Sequence, residues 1–418
     1  MKVLLGKSKT LRTTFKTPPY EVFIFAVLFL EFLCYVPSIS WLNFWNSIYY
    51  VLTYDAFDFN SRLILGSIIN IFTKYISTKT VYLLINIFTI LFIIFVSAVI
   101  GKLARNISKN TGTDAEIFII LFCACPVSIF YLFNFNNFGR LDLFLIFITV
   151  VSLCCANNRK LKWIVPALCF LAMAFNQNFV IMYMPVVGIV LLYEFLTGNN
   201  SKTRLFIFVI SCLTVIISFI YFKFLAPTPD FNSLAEIKAF LAERTNIKNG
   251  EIVVGYEFYI NYFSYYTKDF GYSWVKDVLS TYGICILTAI APLLVIFVSF
   301  WKIIIQIVQE KKIKFIFLLC LLAPVGGFPM FIATDWDRWI PTLFLSQFML
   351  AFYFIAVNDA YAVNSVKILK SFFSRHYLLF LFIVIYSASL IFSRLNDVLW
   401  QSLSKLDYFR IVENFFPK

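Results

Sequence analysis

The sequence predicts an all-α polytopic integral membrane protein, and three observations carry that prediction. The 418-residue chain is 61% hydrophobic, with a mean hydropathy of +0.84. Its apolar residues fall in many long uncharged runs, and a helix that crosses hydrocarbon needs about 20 such residues. The runs are continuous, whereas the strands of a membrane β-barrel alternate apolar and polar positions. No internal repeat, low-complexity tract or soluble second domain interrupts them, so residues 1–418 read as a single transmembrane domain.

The elements follow in order. Five basic residues precede Pro18-Pro19 and an apolar run. That run ends in Pro37-Ser38-Ile39-Ser40 without a small-residue cleavage site, which predicts an uncleaved first helix. Successive runs predict spans at 21–41, 80–101, 115–134, 141–155, 162–176, 178–197, 205–225, 278–302, 313–334, 339–357 and 377–393, about eleven helices. Segments 141–155 and 162–176 are short for a span, so the breaks beside them are expected to tuck into the protein. Residues 63–78 carry Ser67, Asn70, Lys74 and Ser77 at helical spacing. They read as an amphipathic interfacial helix inside the first extracytoplasmic loop, 42–79. The largest extracytoplasmic loop, 226–277, predicts a helix near 233–245. It then runs through Asn249-Gly250 into a stretch from Tyr256 to Tyr272 that holds Tyr259, Tyr262, Tyr265, Tyr266 and Phe270. Such rings suit an aromatic belt at a membrane interface or stacking on sugar rings.

Charge sets the orientation. With the N-terminus cytoplasmic and the C-terminus extracytoplasmic, segments 1–20, 102–114, 156–162, 198–204, 302–314 and 358–376 face the cytoplasm and hold 20 of the 35 Lys and Arg. The opposite side holds 15 of the 22 acids. A span at 63–78 would invert every later loop and place Lys102, Arg105, Lys109, Arg159, Lys160 and Lys162 outside, against the positive-inside rule. The same rule accounts for the net charge of +13 without a nucleic-acid partner.

In this topology the sharp polar clusters crowd the extracytoplasmic side. Ionisable groups beside hydrocarbon are functional candidates because they are costly to keep there. In the first loop, Asp55 and Asp58 are three apart and Arg62 lies four beyond, so a helical turn would place them on one face. A carboxylate beside an Arg stays ionised and can take a proton from a hydroxyl, which suits a general base; capping or a plain ion pair is the structural reading. The second cluster is Thr334-Asp335-Trp336-Asp337-Arg338-Trp339, after a helix that Pro324 and Pro329 should break. Broken helices at membrane depth line cavities. The third cluster runs from Asn134 to Asn137 and on through Gly139-Arg140-Leu141-Asp142. Arg140 and Arg338 could hold phosphate bidentately, and a structural Arg140–Asp142 pair is the alternative. Asn176-Gln177-Asn178 marks an outer turn.

Several chemistries lack their residues. The one histidine, His376, lies on the expected cytoplasmic side, so no Ser-His-Asp set forms on the outer face and a His-ligated metal is not expected. No phosphate-cradling glycine loop appears. Most of the nine cysteines lie in apolar runs, without zinc-site spacing.

A basic N-terminus, one helix, then an outer loop carrying Asp55 and Asp58 before an interfacial helix resembles the GT-C superfamily of polytopic glycosyltransferases. The architecture is also similar to bacterial O-antigen and capsule assembly proteins, Wzy-type polymerases and O-antigen glucosyltransferases. The chain departs from the polymerase pattern, because loop 226–277 holds only Arg244 where paired Arg-rich loops are expected. The resemblance implies a multi-pass protein of a bacterial inner membrane, a polyprenyl-linked saccharide donor, an acceptor glycan, and envelope glycan-assembly proteins as partners. It casts Asp55 or Asp58 as base, and Arg62, Arg140 and Arg338 as donor-phosphate ligands. Asp335, Asp337 and Asp142 would then orient the acceptor or bind a divalent cation. A transporter or flippase of lipid-linked saccharide or of a small solute stays open, as does a non-catalytic scaffold.

Overall fold

The computed structural model describes residues 20–111, 116–125, 128–133, 137–198, 201–227, 231, 233–258, 281–323 and 336–392. Among them the chain is helical, without a strand beyond a single bridge between Ile76 and Thr245. The first helix, α1 (Tyr20–Tyr35), packs antiparallel on α2 (Thr78–Thr111). Glu21 pairs with Arg105 at one end of this hairpin, and the Tyr82 hydroxyl donates to the Pro37 carbonyl (2.9 Å) at the other.

Next come α3 (Glu116–Ala124), a 3-10 turn at Ile129–Phe133, α4 (Asp142–Ala156), α5 (Val165–Phe175), α6 (Met184–Thr197) and α7 (Ser201–Ile220). Pro166 and Pro185 stand in the first turns of α5 and α6, where a missing N–H costs nothing. A π turn, Tyr221–Leu225, extends α7. The chain continues through α8 (Leu234–Ala242), α9 (Gly250–Phe258), α10 (Thr281–Ile307), α11 (Lys311–Leu322), α12 (Trp336–Ala356), α13 (Ala360–Arg375) and α14 (Tyr377–Phe392).

Among the described residues, five segments are long and apolar enough to cross a membrane: Thr78–Arg105, Glu116–Phe133, Ser201–Leu225, Ile290–Ile307 and Arg338–Ala356. A sixth is added if α13 and α14, bent by 100°, count as one. This is the architecture of a helical membrane protein. The short helices are the informative ones. With 15, 11 and 14 residues, α4, α5 and α6 reach about 17–22 Å at 1.5 Å per residue, well under the roughly 30 Å of a hydrocarbon core. Of the two breaks beside α4, the one before it is tucked in, with Asn137 and Asp142 buried, whereas residues 157–161 after it are exposed.

The first loop fills the space above the short helices. Residues 39–77 fold as a cap of short turns, among them Phe44–Ser47, Tyr54–Phe57 and Ile64–Asn70. The Arg62 N–H donates to the Ala174 carbonyl at the end of α5 (2.8 Å), and Asn46 Nδ2 donates to the Phe138 carbonyl (3.2 Å). The helix expected over 63–78 is thus shorter, Ile64–Asn70. Ser67 turns inward to accept the Tyr54 N–H (2.9 Å), while Ile71 and Phe72 are 79% and 83% exposed.

Gly66 lets the cap close. A Cβ there would strike the Leu52 backbone carbonyl, which cannot swing aside as a side chain would. Gly66→Ala is therefore expected to lower the unfolding midpoint in detergent, at a cost of about 1–3 kcal/mol typical of overpacking. An unchanged midpoint would mean that the 52 and 66 backbones do not approach this closely.

Candidate functional site

The capped end gathers the first two groups of interest. Within the cap, the turn Tyr54–Phe57 is too short to carry Asp55, Asp58 and Arg62 on one face. Phe57 is fully buried against Phe231 and Phe240, and the chain swings away at Asp58 and Arg62, whose φ values are +51° and +72°. Positive φ is uncommon outside glycine and is a form of local strain that collects at functional sites. The expected Asp55–Asp58–Arg62 face is therefore not formed. Arg62 instead donates to the Tyr49 hydroxyl (2.8 Å) and lies over the Tyr49 ring.

Asp55 has a different guanidinium. Arg244, just beyond α8, donates to Asp55 (2.9 Å) and to the Thr53 hydroxyl (2.5 Å), and it lies 4.3 Å from the Phe240 ring centre. Its carbonyl accepts the Ile76 N–H (2.8 Å), and Asn246 accepts from Thr78 N–H and hydroxyl. The largest loop is thereby tied to the cap. Partial burial works to raise the Asp55 carboxyl, but hydrogen bonds from Arg244 and Thr53, with the Arg244 charge, outweigh it and hold the group below its ordinary value. A depressed carboxyl stabilises the fold above its unfolded value, so the Asp55–Arg244 link is present at neutral pH and is lost as pH falls through the lowered value.

Beneath the cap lies a buried polar floor. Asp142, the first residue of α4, accepts from Arg338 Nη2 on α12 at 2.7 Å, with side chains only 1% and 7% exposed. The second and third clusters thus meet, and the pairing is Asp142–Arg338 rather than Arg140–Asp142. Helix geometry explains this: Asp142 opens α4 facing the bundle, and α12 passes that point. Around the pair stand Tyr131 and Tyr183, with hydroxyls 3.5 Å apart, and Thr342, whose hydroxyl donates to the Arg338 carbonyl (2.7 Å). Asn137 is fully buried, and neither its Nδ2 nor its Oδ1 has a partner among the described residues. Because its charge is matched by Asp142, Arg338 does not stand open as a phosphate ligand.

Asp335, the Asp337 side chain, residues 134–136, the Pro324–Pro329 break and the tyrosines from 259 to 272 lie outside the described residues. Among the described residues no group of three or more His, Cys, Asp or Glu gathers as a metal site would require. Asn178 sits in the turn after α5, its N–H bonded to Asn176 Oδ1 (3.0 Å), which is the tight hairpin geometry.

A second network, at the other end of the same helices, contradicts the expectation that the sharp polar groups crowd one side. Glu194, buried at the end of α6, pairs with Arg204 and accepts from the Tyr353 hydroxyl (2.6 Å). The neighbouring Tyr193 hydroxyl donates to Asp359 (2.6 Å), which also caps α13 through the Tyr361 and Ala362 N–H groups. Arg338 and Tyr353 lie 15 residues apart on α12, so about 22 Å separates the two networks. An acid in an apolar run was the available signal for Glu194. It also marks Glu31 in α1, whose buried Oε2 has no partner among the described residues. Arg244 was legible only as the one arginine of its loop.

No family model, curated protein or solved structure matches the chain.

The floor makes a direct prediction. Arg338→Leu leaves Asp142 buried without its cation, which should cost about 3–5 kcal/mol. The double variant Asp142→Leu/Arg338→Leu should melt much closer to the wild type. Equal melting of single and double variants would mean the pair is not buried as described.

Proposed function

We propose that the protein transfers a glycosyl group from a polyprenyl-(pyro)phosphate-linked donor on the extracytoplasmic face of a bacterial inner membrane, in surface polysaccharide assembly. The observation that carries this reading is the capped end: helices that stop short of a bilayer's thickness, with a polar floor below and strained acidic turns above. The positive-inside count supports placing this end outside, with the N-terminus in the cytoplasm, the C-terminus out and about eleven segments crossing or entering the membrane.

The chemistry assigned to the site is an inverting displacement. The acceptor hydroxyl gives its proton to a cap carboxylate as its oxygen attacks the anomeric carbon, and the carbon–oxygen bond to phosphate breaks with the electron pair leaving on phosphate. Asp58, exposed at its strained turn, is assigned as the base. Asp55 is held down by Arg244 and is a weaker one. Arg62 and Arg140, at the edge of the cap and the head of α4, are assigned to the departing phosphate, where preorganised cations contribute several kcal/mol. The described residues do not fit a cation site, and no step is routed through one.

Transport of a lipid-linked saccharide is the second reading. The specific observation in its favour is the Glu194–Arg204 network, because buried polar closures at both ends of one helix set suit alternating access.

One experiment separates the readings: deletion in the native host, with surface polysaccharide examined on a gel after complementation by wild type or Asp58→Asn. Collapse of long chains to single repeat units, rescued by wild type alone, is the outcome for a polymerase. A ladder retained but altered in sugar content indicates side-branch transfer. An unchanged profile overturns glycosyl transfer and leaves transport.

A further inference from the structure

We infer that the floor around Asp142 and Arg338 binds a neutral polyhydroxyl group, a sugar ring, and does not bind phosphate. The inference rests on the saccharide reading of the capped end and divides its labour: sugar below, phosphate at the arginines of the rim.

The argument starts from atoms left over. Asn137 Nδ2, Arg338 Nε and Trp339 Nε1 are donors, and Asn137 Oδ1 and Asp142 Oδ2 are acceptors. All five are buried, with no partner among the described residues. Native interiors satisfy almost all such groups, so several at one level of a fold call for an explanation. They belong together. The turn closed by Arg140 N–H to the Asn137 carbonyl (3.0 Å) leads into α4 at Asp142. Asp142 holds Arg338, and the Arg338 guanidinium lies 5.3 Å from the Trp339 ring centre.

The mixture of donors and acceptors selects the ligand. A hydroxyl donates once and accepts twice, so a ring bearing several can answer Asn137 Oδ1 and Nδ2 together. An ionised phosphate only accepts. It would face Asn137 Oδ1 and the Asp142 carboxylate, and it would have to draw Arg338 away from its buried partner. Tyr131, Tyr183 and Trp339 add flat apolar faces beside these polar atoms, suited to the C–H face of a pyranose. Entry requires the cap to lift, since Asn46 holds the Phe138 carbonyl over this level.

Two probes with the same tail and different heads test this: octyl β-D-glucoside and octyl phosphate, added below their micelle concentrations to the full-length protein in a polyoxyethylene detergent. Thermal unfolding is followed for wild type, Asn137→Leu and Tyr131→Phe. The expected result is a rise of a few degrees in the wild-type midpoint with the glucoside and none that depends on Asn137 with the phosphate. Asn137→Leu is expected to raise the midpoint of the protein without probe, because an apolar side chain replaces two orphaned polar atoms, and to abolish the glucoside response. Tyr131→Phe, which keeps the ring and loses a hydroxyl, should weaken that response. A glucoside shift that survives Asn137→Leu, an Asn137-dependent phosphate shift, or no glucoside shift in the wild type overturns the inference. A glucoside response together with an unchanged glycan profile on gene deletion would keep this site and discard glycosyl transfer. A collapsed profile without the response would discard only this site.

Discussion

The buried pair of Asp142 and Arg338 is the interaction on which the capped end depends. Helix α4 begins at Asp142, inside the protein, because fifteen residues cannot carry it across a bilayer. A carboxylate at that depth is tolerable only beside a cation, and α12 supplies one at 2.7 Å. The pair fixes α12 against the head of α4 and brings Ile129–Phe133 and residues 137–142 inward with it. Once those helices end low, something must cover their exposed carbonyls and N–H groups, since lipid offers them no partner. The first loop does this, and the Ala174 and Phe138 carbonyls are among the groups it satisfies.

The cap is held from above as well as from below. Arg244 spans Asp55 and Thr53, and the neighbouring Ile76 and Thr78 bond to the same stretch of the largest loop. The two outer loops therefore act as one unit, and a change in either is felt at the acidic turns. Strain sits at the same place: Asp58 and Arg62 both hold left-handed backbone conformations that the surrounding packing, chiefly buried Phe57, imposes. Strained acidic turns over a polar floor make up an arrangement whose energetic cost is understandable if a ligand uses it.

The second network gives the structure a polarity of its own. At the capped end the polar atoms are incompletely matched. At the opposite end Glu194 takes Arg204 and the Tyr353 hydroxyl, and Tyr193 donates to Asp359, which also caps α13, while the buried Arg204 Nε has no partner among the described residues. The opposite end, with its carboxylates paired, reads as a clamp, and the capped end holds the larger share of unmatched polar atoms.

The sequence by itself determined the all-helical architecture with apolar helices able to cross a membrane, and a short list of charged residues worth attention. Those depend on local patterns: continuous apolar runs and charged residues in apolar surroundings. Spacing along the chain also suggested partners, and there it failed. It offered Arg62 for the Asp55–Asp58 turn and Arg140 for Asp142, because sequence proximity constrains only pairs within a helical turn or two. The actual partners, Arg244 and Arg338, are 189 and 196 residues away. Only the tertiary packing decided them, since which guanidinium reaches a carboxylate depends on how deep each helix ends and which loop lies over it.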